Sequence, residues 1–263
     1  MRLNFDEMIN LAENKKELTA KREVVDGIPV VIFAYNVAFT DTFDSPLAKE
    51  FRGTTFREDT KECICRPFPK FFNVGEREDT QFNKIDWDNT SYYYKHDGSM
   101  ITPVLINDKI FLKTKKSFYS DVAKKAQTFY DNGGYCFSRN NIQIDDLQNN
   151  TYIFEYVSPK NQIVLEYNKE DLILLGSRNI ENGIYVPSNE LKCDVSYEEI
   201  NSMENIEGYV IWDGNQLVKK KCNWYMERHK IASEFNPRAI IQASLDGSID
   251  DILGTISQLG LTL

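Results

Sequence analysis

The sequence predicts an α+β fold, built from antiparallel sheet with a few helices and a helical tail. Three observations carry this. Short runs rich in β-branched and aromatic residues recur along the chain, divided by turn residues such as Asn107-Asp108 and Asp213-Gly214-Asn215. Helical periodicity is confined to a few stretches and to the end of the chain. At 263 residues and 41% hydrophobic, the chain can bury one large core, and no apolar run reaches the roughly 18 residues of a membrane helix.

Taken in order, residues 4–15 place Phe5, Met8, Ile9 and Ala12 on one helical face. Residues 29–35 read as a buried strand, and 50–57 and 62–68 as two more. The run Ser91-Tyr92-Tyr93-Tyr94 is strand-like and ends at Lys95. Strands 100–106 and 109–115 form a hairpin, followed by a helix over 118–131 that Gly133-Gly134 stops. Further strands are predicted at 151–157, 162–167 and 171–177, then at 207–213 and 216–222. From Trp224 the pattern is helical, over 224–233, about 237–245 and 248–259. The expected division is a main domain over 1–230 and a short helical C-terminal segment over 231–263.

Net charge is −9, which argues against bulk electrostatic attraction to nucleic acid. Positive charge is nonetheless concentrated locally, at Lys113, Lys115 and Lys116, at Lys219, Lys220 and Lys221, and at Arg228 and Lys230. The five cysteines are scattered and odd in number, as expected of free thiols in a reducing cytoplasm, and two histidines make a zinc site improbable. The polar, acidic start is not a signal peptide pattern. A cytoplasmic location is expected, host cytoplasm if the chain is viral.

The chemistry centres on Lys95-His96-Asp97-Gly98-Ser99, an amine at a strand end beside a glycine that lets a ligand approach the backbone. Charged residues also stand within other strand-like stretches: Arg52-Gly53, Lys70 among Phe68, Phe71 and Phe72, Glu155 within 152–157, and Glu207-Gly208. Lys219 and Lys221 alternate along a strand and so share a face.

In this order the segments resemble the covalent nucleotidyltransferase superfamily of ATP-dependent ligases and capping enzymes, and within it the phage-type RNA ligase 1 family. The likeness extends to Phe33-Ala34-Tyr35-Asn36, to residues 66–73, to Val164-Leu165 and to residues 219–225, and it covers 1–230. It implies the ligase adenylation fold, with antiparallel sheets flanked by helices. It implies that Lys95 becomes adenylated and that Tyr35, Arg52, Lys70, Glu155, Lys219 and Lys221 contact ATP. Lys115 and Glu207 match further essential positions, and Asp250 matches an aspartate that helps hold a metal. The roughly 33 residues after Lys230 are too few for the barrel domain of DNA-joining and capping relatives.

The residue chemistry agrees. An attacking lysine must shed its proton from an ordinary pKa of about 10.4, which burial and nearby cations lower. Arg52, Lys70, Lys115, Lys219 and Lys221 offer positive groups for phosphate oxygens. Asp97, Glu155 and Glu207 are the acidic counterpart, with Asp97 and Glu207 expected to face magnesium or manganese. The resemblance implies an ATP-dependent RNA ligase acting on single-stranded or looped ends, transfer RNA among them, with an end-healing kinase or phosphatase as partner and no membrane. The rival readings are a GTP-using capping guanylyltransferase and a non-catalytic nucleotide- or RNA-binding module. The spacer His96 is expected to point away from the nucleotide, and Phe68, Phe71 and Phe72 to pack in the core.

Overall fold

The computed structural model describes residues 1–234. In chain order the elements are α1 (Phe5–Asn14), β1 (Leu18–Val25), β2 (Ile28–Tyr35), α2 (Pro46–Lys49), β3 (Thr54–Arg57), β4 (Cys63–Cys65), β5 (Phe72–Asn73), β6 (Ser91–Tyr94), β7 (Ser99–Ile106), β8 (Lys109–Lys113), α3 (Asp121–Asp131), β9 (Asn150–Val157), β10 (Asp171–Asn179), β11 (Tyr185–Pro187), β12 (Lys192–Cys193), β13 (Gly208–Trp212), β14 (Leu217–Lys221) and α4 (Asn223–Glu234). They form three sheets, ordered β1-β2-β3-β4, β11-β10-β9-β7-β8 and β12-β6-β13-β14-β5. Among the described residues, only β14 and β5 pair in parallel. The α+β class with antiparallel sheets is therefore as expected. The helices predicted near 237–245 and 248–259 lie outside the described residues, and α4 runs through the expected boundary at residue 230.

The first core forms because α1 is amphipathic and well started. Asn4 accepts the amides of Asp6 and Glu7, and the helix turns Phe5 and Met8 inward. These pack with Phe33, Phe51 and Phe56, whose rings meet edge to face. A second core lies under α3, where Ala126, Tyr135, Phe137 and Phe154 are buried together. Ser120 caps α3 by accepting the Ala123 amide, so the helix starts at Asp121 rather than at the expected 118.

Several predicted strands are shorter than expected. The strand expected over 50–57 starts only at Thr54, because residues 50–53 turn and the Thr54 hydroxyl donates to the Glu50 carbonyl at 2.7 Å. The strand expected over 62–68 ends at Cys65, and Arg66 leaves the sheet to be buried. Residues 162–167 are not a strand: the amides of Val164 and Leu165 donate to Asp97 instead of to a neighbouring strand. The β1 strand was not expected, since the exposed charges Lys21 and Arg22 break its apolar pattern.

One buried ionic group joins the first two sheets. Glu50, which follows α2, accepts from Arg66 Nη2 at 2.8 Å and from both terminal nitrogens of Arg178 at 2.7 Å. Arg178 belongs to β10 and also donates to the Pro67 and Gly183 carbonyls. Arg66 donates to the Ile180 and Glu181 carbonyls. All three side chains are buried, so the charges need these partners. Burial acts to raise the Glu50 pKa, but Arg178 and then Arg66 outweigh it, and the carboxyl is held below its ordinary 4.5. Its ionised form thus adds stability above that value, and the contribution is lost as pH falls below it. The substitution Glu50→Gln leaves two buried cations short of a counter-charge. It should cost about 3–5 kcal/mol in urea unfolding at pH 7 and flatten the acid limb of the stability profile. A loss under about 1 kcal/mol would refute this role.

Candidate active site

Lys95 stands where β6 ends. Its amide donates to the Gly208 carbonyl at 3.0 Å, so the β6–β13 ladder continues one residue beyond the Tyr94–Tyr209 pair. That places Lys95 beside Glu207, and Lys95 Nζ donates to Glu207 Oε2 at 2.6 Å. The second oxygen, Oε1, meets Lys221 Nζ at 2.9 Å. Gly208 has φ +139°, and a side chain there would strike the backbone of Lys220 and Lys221, so only glycine lets β14 lie this close. Across β14, Lys219 and Lys221 face the site, while Lys220 Nζ lies 5.5 Å from the Tyr197 ring. The face-sharing expected from the sequence is what the strand produces.

Glu155 comes from β9, opposite Met100 of β7. Its Oε1 accepts the Gly98 amide at 3.1 Å. A Cβ on Gly98 would collide with the Tyr156 carbonyl and crowd Glu155, so the glycine is required by close passage of β9. Burial pushes the Glu155 carboxyl up to about 7 against the pull of Lys95, and the charge of Glu207 adds to the rise.

Asp97 does not face a metal, contrary to expectation. Its Oδ2 accepts the Val164 and Leu165 amides at 2.7 and 2.8 Å, and its Oδ1 accepts the Tyr225 hydroxyl at 2.6 Å. With only 2% exposure and three protein donors, it fixes the loop after Lys95 to residues 164–165 and to α4. Tyr167 adds a bond from its hydroxyl, which accepts the Asp97 amide at 3.0 Å. Asp250 lies outside the described residues.

The cations surround this core. Arg52 lies 5.0 Å from the Phe71 ring and Lys219 lies 5.8 Å from it. Arg52 Nη1 is buried with no hydrogen-bond partner, an orphaned donor at the site. Burial brings Lys219 down to about 7, with Lys70, Lys95, Arg52 and Lys221 adding repulsion. Tyr35, at the end of β2, has Lys115 Nζ 3.8 Å and Lys70 Nζ 5.5 Å from its ring centre. Burial lowers Lys115 to about 8, helped by Arg52 and Lys116. Every site residue expected within the described residues is therefore gathered around one place, except that Asp97 serves as a brace.

Two expectations on neighbouring side chains change. His96 does not point away: its ring packs 4.7 Å from that of Tyr94 and lines a narrow cavity with Lys95, Glu155 and Arg52. Burial lowers its pKa to about 4, and its Nδ1 is buried without a partner. Phe68 and Phe72 are buried core residues as expected, and Phe68 and Phe71 both line the cavity. The sequence reading also missed Lys113, which is buried and donates to the Gly53 carbonyl at 2.8 Å, holding the turn that carries Arg52. A lysine at a hairpin end gives no pattern that separates this from a surface charge. The bond from the Tyr225 hydroxyl to Asp97 has no sequence signal.

Comparison with known proteins agrees with the geometry. A protein of Thermovibrio ammonificans with the provisional name RNA ligase is 28% identical over 276 residues, spanning 95% of this chain and 72% of that protein. RNA ligase 1 of bacteriophage TS2126 is 22% identical over 278 residues, spanning 97% of this chain and 69% of that protein. Among solved structures, an archaeal ATP-dependent RNA ligase superposes with a TM-score of 0.61 at 16% identity, over 98% of this chain and 78% of the other, which shows a shared fold. The family model described as RNA ligase matches residues 50–195, more than half of the chain, and the chain belongs to that RNA ligase family.

Proposed function

We propose that the protein joins RNA ends in an ATP-dependent reaction in which Lys95 carries AMP. The observation that carries this reading is the pairing of Lys95 with Glu207 at 2.6 Å in a setting of cations that includes Lys219, Lys221 and Arg52, whose Nη1 has no hydrogen-bond partner. An amine held at this point, with positive charge ready for phosphate oxygens, suits attack on the α-phosphorus of ATP. The Lys95 proton leaves along the hydrogen bond to Glu207, the nitrogen–phosphorus bond forms, and pyrophosphate departs. An oxygen of an RNA 5′-phosphate then displaces Lys95 and takes the AMP. Finally a 3′-hydroxyl attacks that end, AMP leaves, and the phosphodiester is made. Arg52, Lys70, Lys219 and Lys221 orient and neutralise the phosphates, and Glu155 accepts from the nucleoside.

The residues fit a divalent cation of the magnesium or manganese kind. No group of three or more His, Cys, Asp or Glu side chains stands together among the described residues. Glu155 and Glu207 supply the one or two carboxylates that such an ion uses when it keeps its waters and shares phosphate oxygens. When bound, it would neutralise charge on the triphosphate. A role in repairing broken RNA, transfer RNA included, with ends prepared by a kinase or phosphatase and in the cytoplasm, belongs to the same proposal. No helix among the described residues is long and apolar enough to cross a membrane.

Three outcomes are expected. Incubated with labelled ATP and magnesium, the protein gains a covalent label that Lys95→Ala lacks; GTP gives none. A labelled Lys95→Ala band, or a GTP adduct, would refute the assignment. Glu155→Gln should abolish adenylation yet raise the melting temperature at pH 8 relative to wild type. A carboxyl raised to about 7 from 4.5 loses stability as pH climbs through that window, so the advantage should be absent near pH 4. Equal melting at both pH values would count against the burial of that charge. Binding of a non-cleavable ATP analogue at pH 8 should take up protons, because phosphates recharge Lys219 from about 7. Calorimetry in buffers of different ionisation enthalpy reads the sign, and net proton release would contradict it.

A further inference from the structure

Arg52 stands between two groups of cations. On one side are Lys70, Lys95, Lys219 and Lys221, gathered near Glu155 and Glu207. On the other, Lys115 and Lys116 line a second, open cleft of about 460 Å³, together with Arg52, Ser99, Thr114 and Ser120. No carboxylate lines that cleft. Lys115 forms no ion pair among the described residues, and the charges that act on it are Arg52 and Lys116, both positive. Lys116 Nζ is held by the Asn36 side-chain oxygen at 2.9 Å, a neutral partner. The buried Arg52 Nη1 has none. The cleft also lies at the N-terminal end of α3, where the helix dipole favours an anion. Two lysines without a carboxylate partner and an arginine whose buried Nη1 is unbonded, meeting a helix start, suit a phosphate.

The proposed reaction presents two kinds of anion, the phosphates of the nucleotide and the phosphate end that receives AMP. The first cation group surrounds the amine and serves the nucleotide. The second is reached from it through Arg52, which belongs to both, and through Ser99, which lies four residues past Lys95. We propose that the second cleft receives the 5′-phosphorylated end of the RNA strand that takes the AMP; this rests on the ligase reading above. There, a 5′-phosphate oxygen bonds to the phosphorus of lysyl-AMP, the phosphorus–nitrogen bond breaks, and Lys95 departs as an amine that regains a proton. The same phosphate chemistry could come from the β- and γ-phosphates of ATP, so the test separates the two sources.

Lys116 is exposed, so its replacement leaves the fold intact. For wild type, Lys116→Ala and Lys116→Arg, two steps are measured apart: label transfer from ATP to protein, and AMP transfer from the isolated adenylated protein to a 5′-phosphorylated RNA oligonucleotide at subsaturating RNA. Lys116→Ala should adenylate as wild type does, lose about tenfold in AMP transfer, and show a shallower dependence of transfer on salt. Lys116→Arg should recover most of the loss. Slower adenylation, alone or with slower transfer, would give the cleft to the nucleotide phosphates and overturn the proposal; two unchanged steps would also overturn it. Should wild type take no label from ATP, the ligase reading fails by itself. Binding of 5′-phosphate against 5′-hydroxyl oligonucleotides then decides the cleft. A preference for phosphate that Lys116→Ala abolishes supports it, and no preference refutes it.

Discussion

The carboxylate of Glu50, clasped between Arg66 and Arg178, is the constraint on which the rest of the site depends. It joins the turn after α2 to β10 in another sheet and, through the Pro67 carbonyl, to the segment that leads to Lys70. Arg52 follows Glu50 by two residues, and the Lys70 amide donates to the Lys49 carbonyl at 2.6 Å. Two cations of the site, Arg52 and Lys70, thus hang from one buried charge cluster. The pairs at its centre gain little net stability from mutual attraction once desolvation is counted. What they supply is geometry, since in this arrangement both arginines satisfy the carboxylate and each also reaches backbone carbonyls.

The site proper is built against electrostatic preference. Lys219 and Lys115 are held where their charged forms are disfavoured, and Glu155 where its ionised form is. Such crowding is unfavourable in the free protein, and an anion arriving among these cations would relieve it. Glu207 tempers the strain by holding both Lys95 and Lys221. The protein carries a net charge of −9, yet Arg52, Lys70, Lys115, Lys219 and Lys221 concentrate positive charge around Glu155 and Glu207.

Much of this was legible in the chain. Turn dipeptides and alternating apolar residues marked most strands of the two larger sheets, and the ordered charged residues marked the site. What was not legible has physical reasons. Val164 and Leu165 look like strand residues, but their amides are drawn off by a carboxylate nearly seventy positions away in sequence. Asp97 looked like a metal ligand because sequence shows residue type, not which donors reach it. Lys113 resembled its exposed neighbours although it is buried beneath the Arg52 turn. Each error concerns a long-range polar contact, which leaves no periodic trace.

The bond from Tyr225 to Asp97 has a consequence for how this catalytic body can be combined with other modules. The residue two positions after Lys95 is moored to the first turn of the last described helix. That helix is thereby connected through one phenol to the loop that follows Lys95. Exchange of downstream parts between relatives is thus permitted only at junctions beyond this tyrosine. A splice placed before it would remove one of the three donors that hold Asp97 and the loop after Lys95, even if every charged group around the amine were kept.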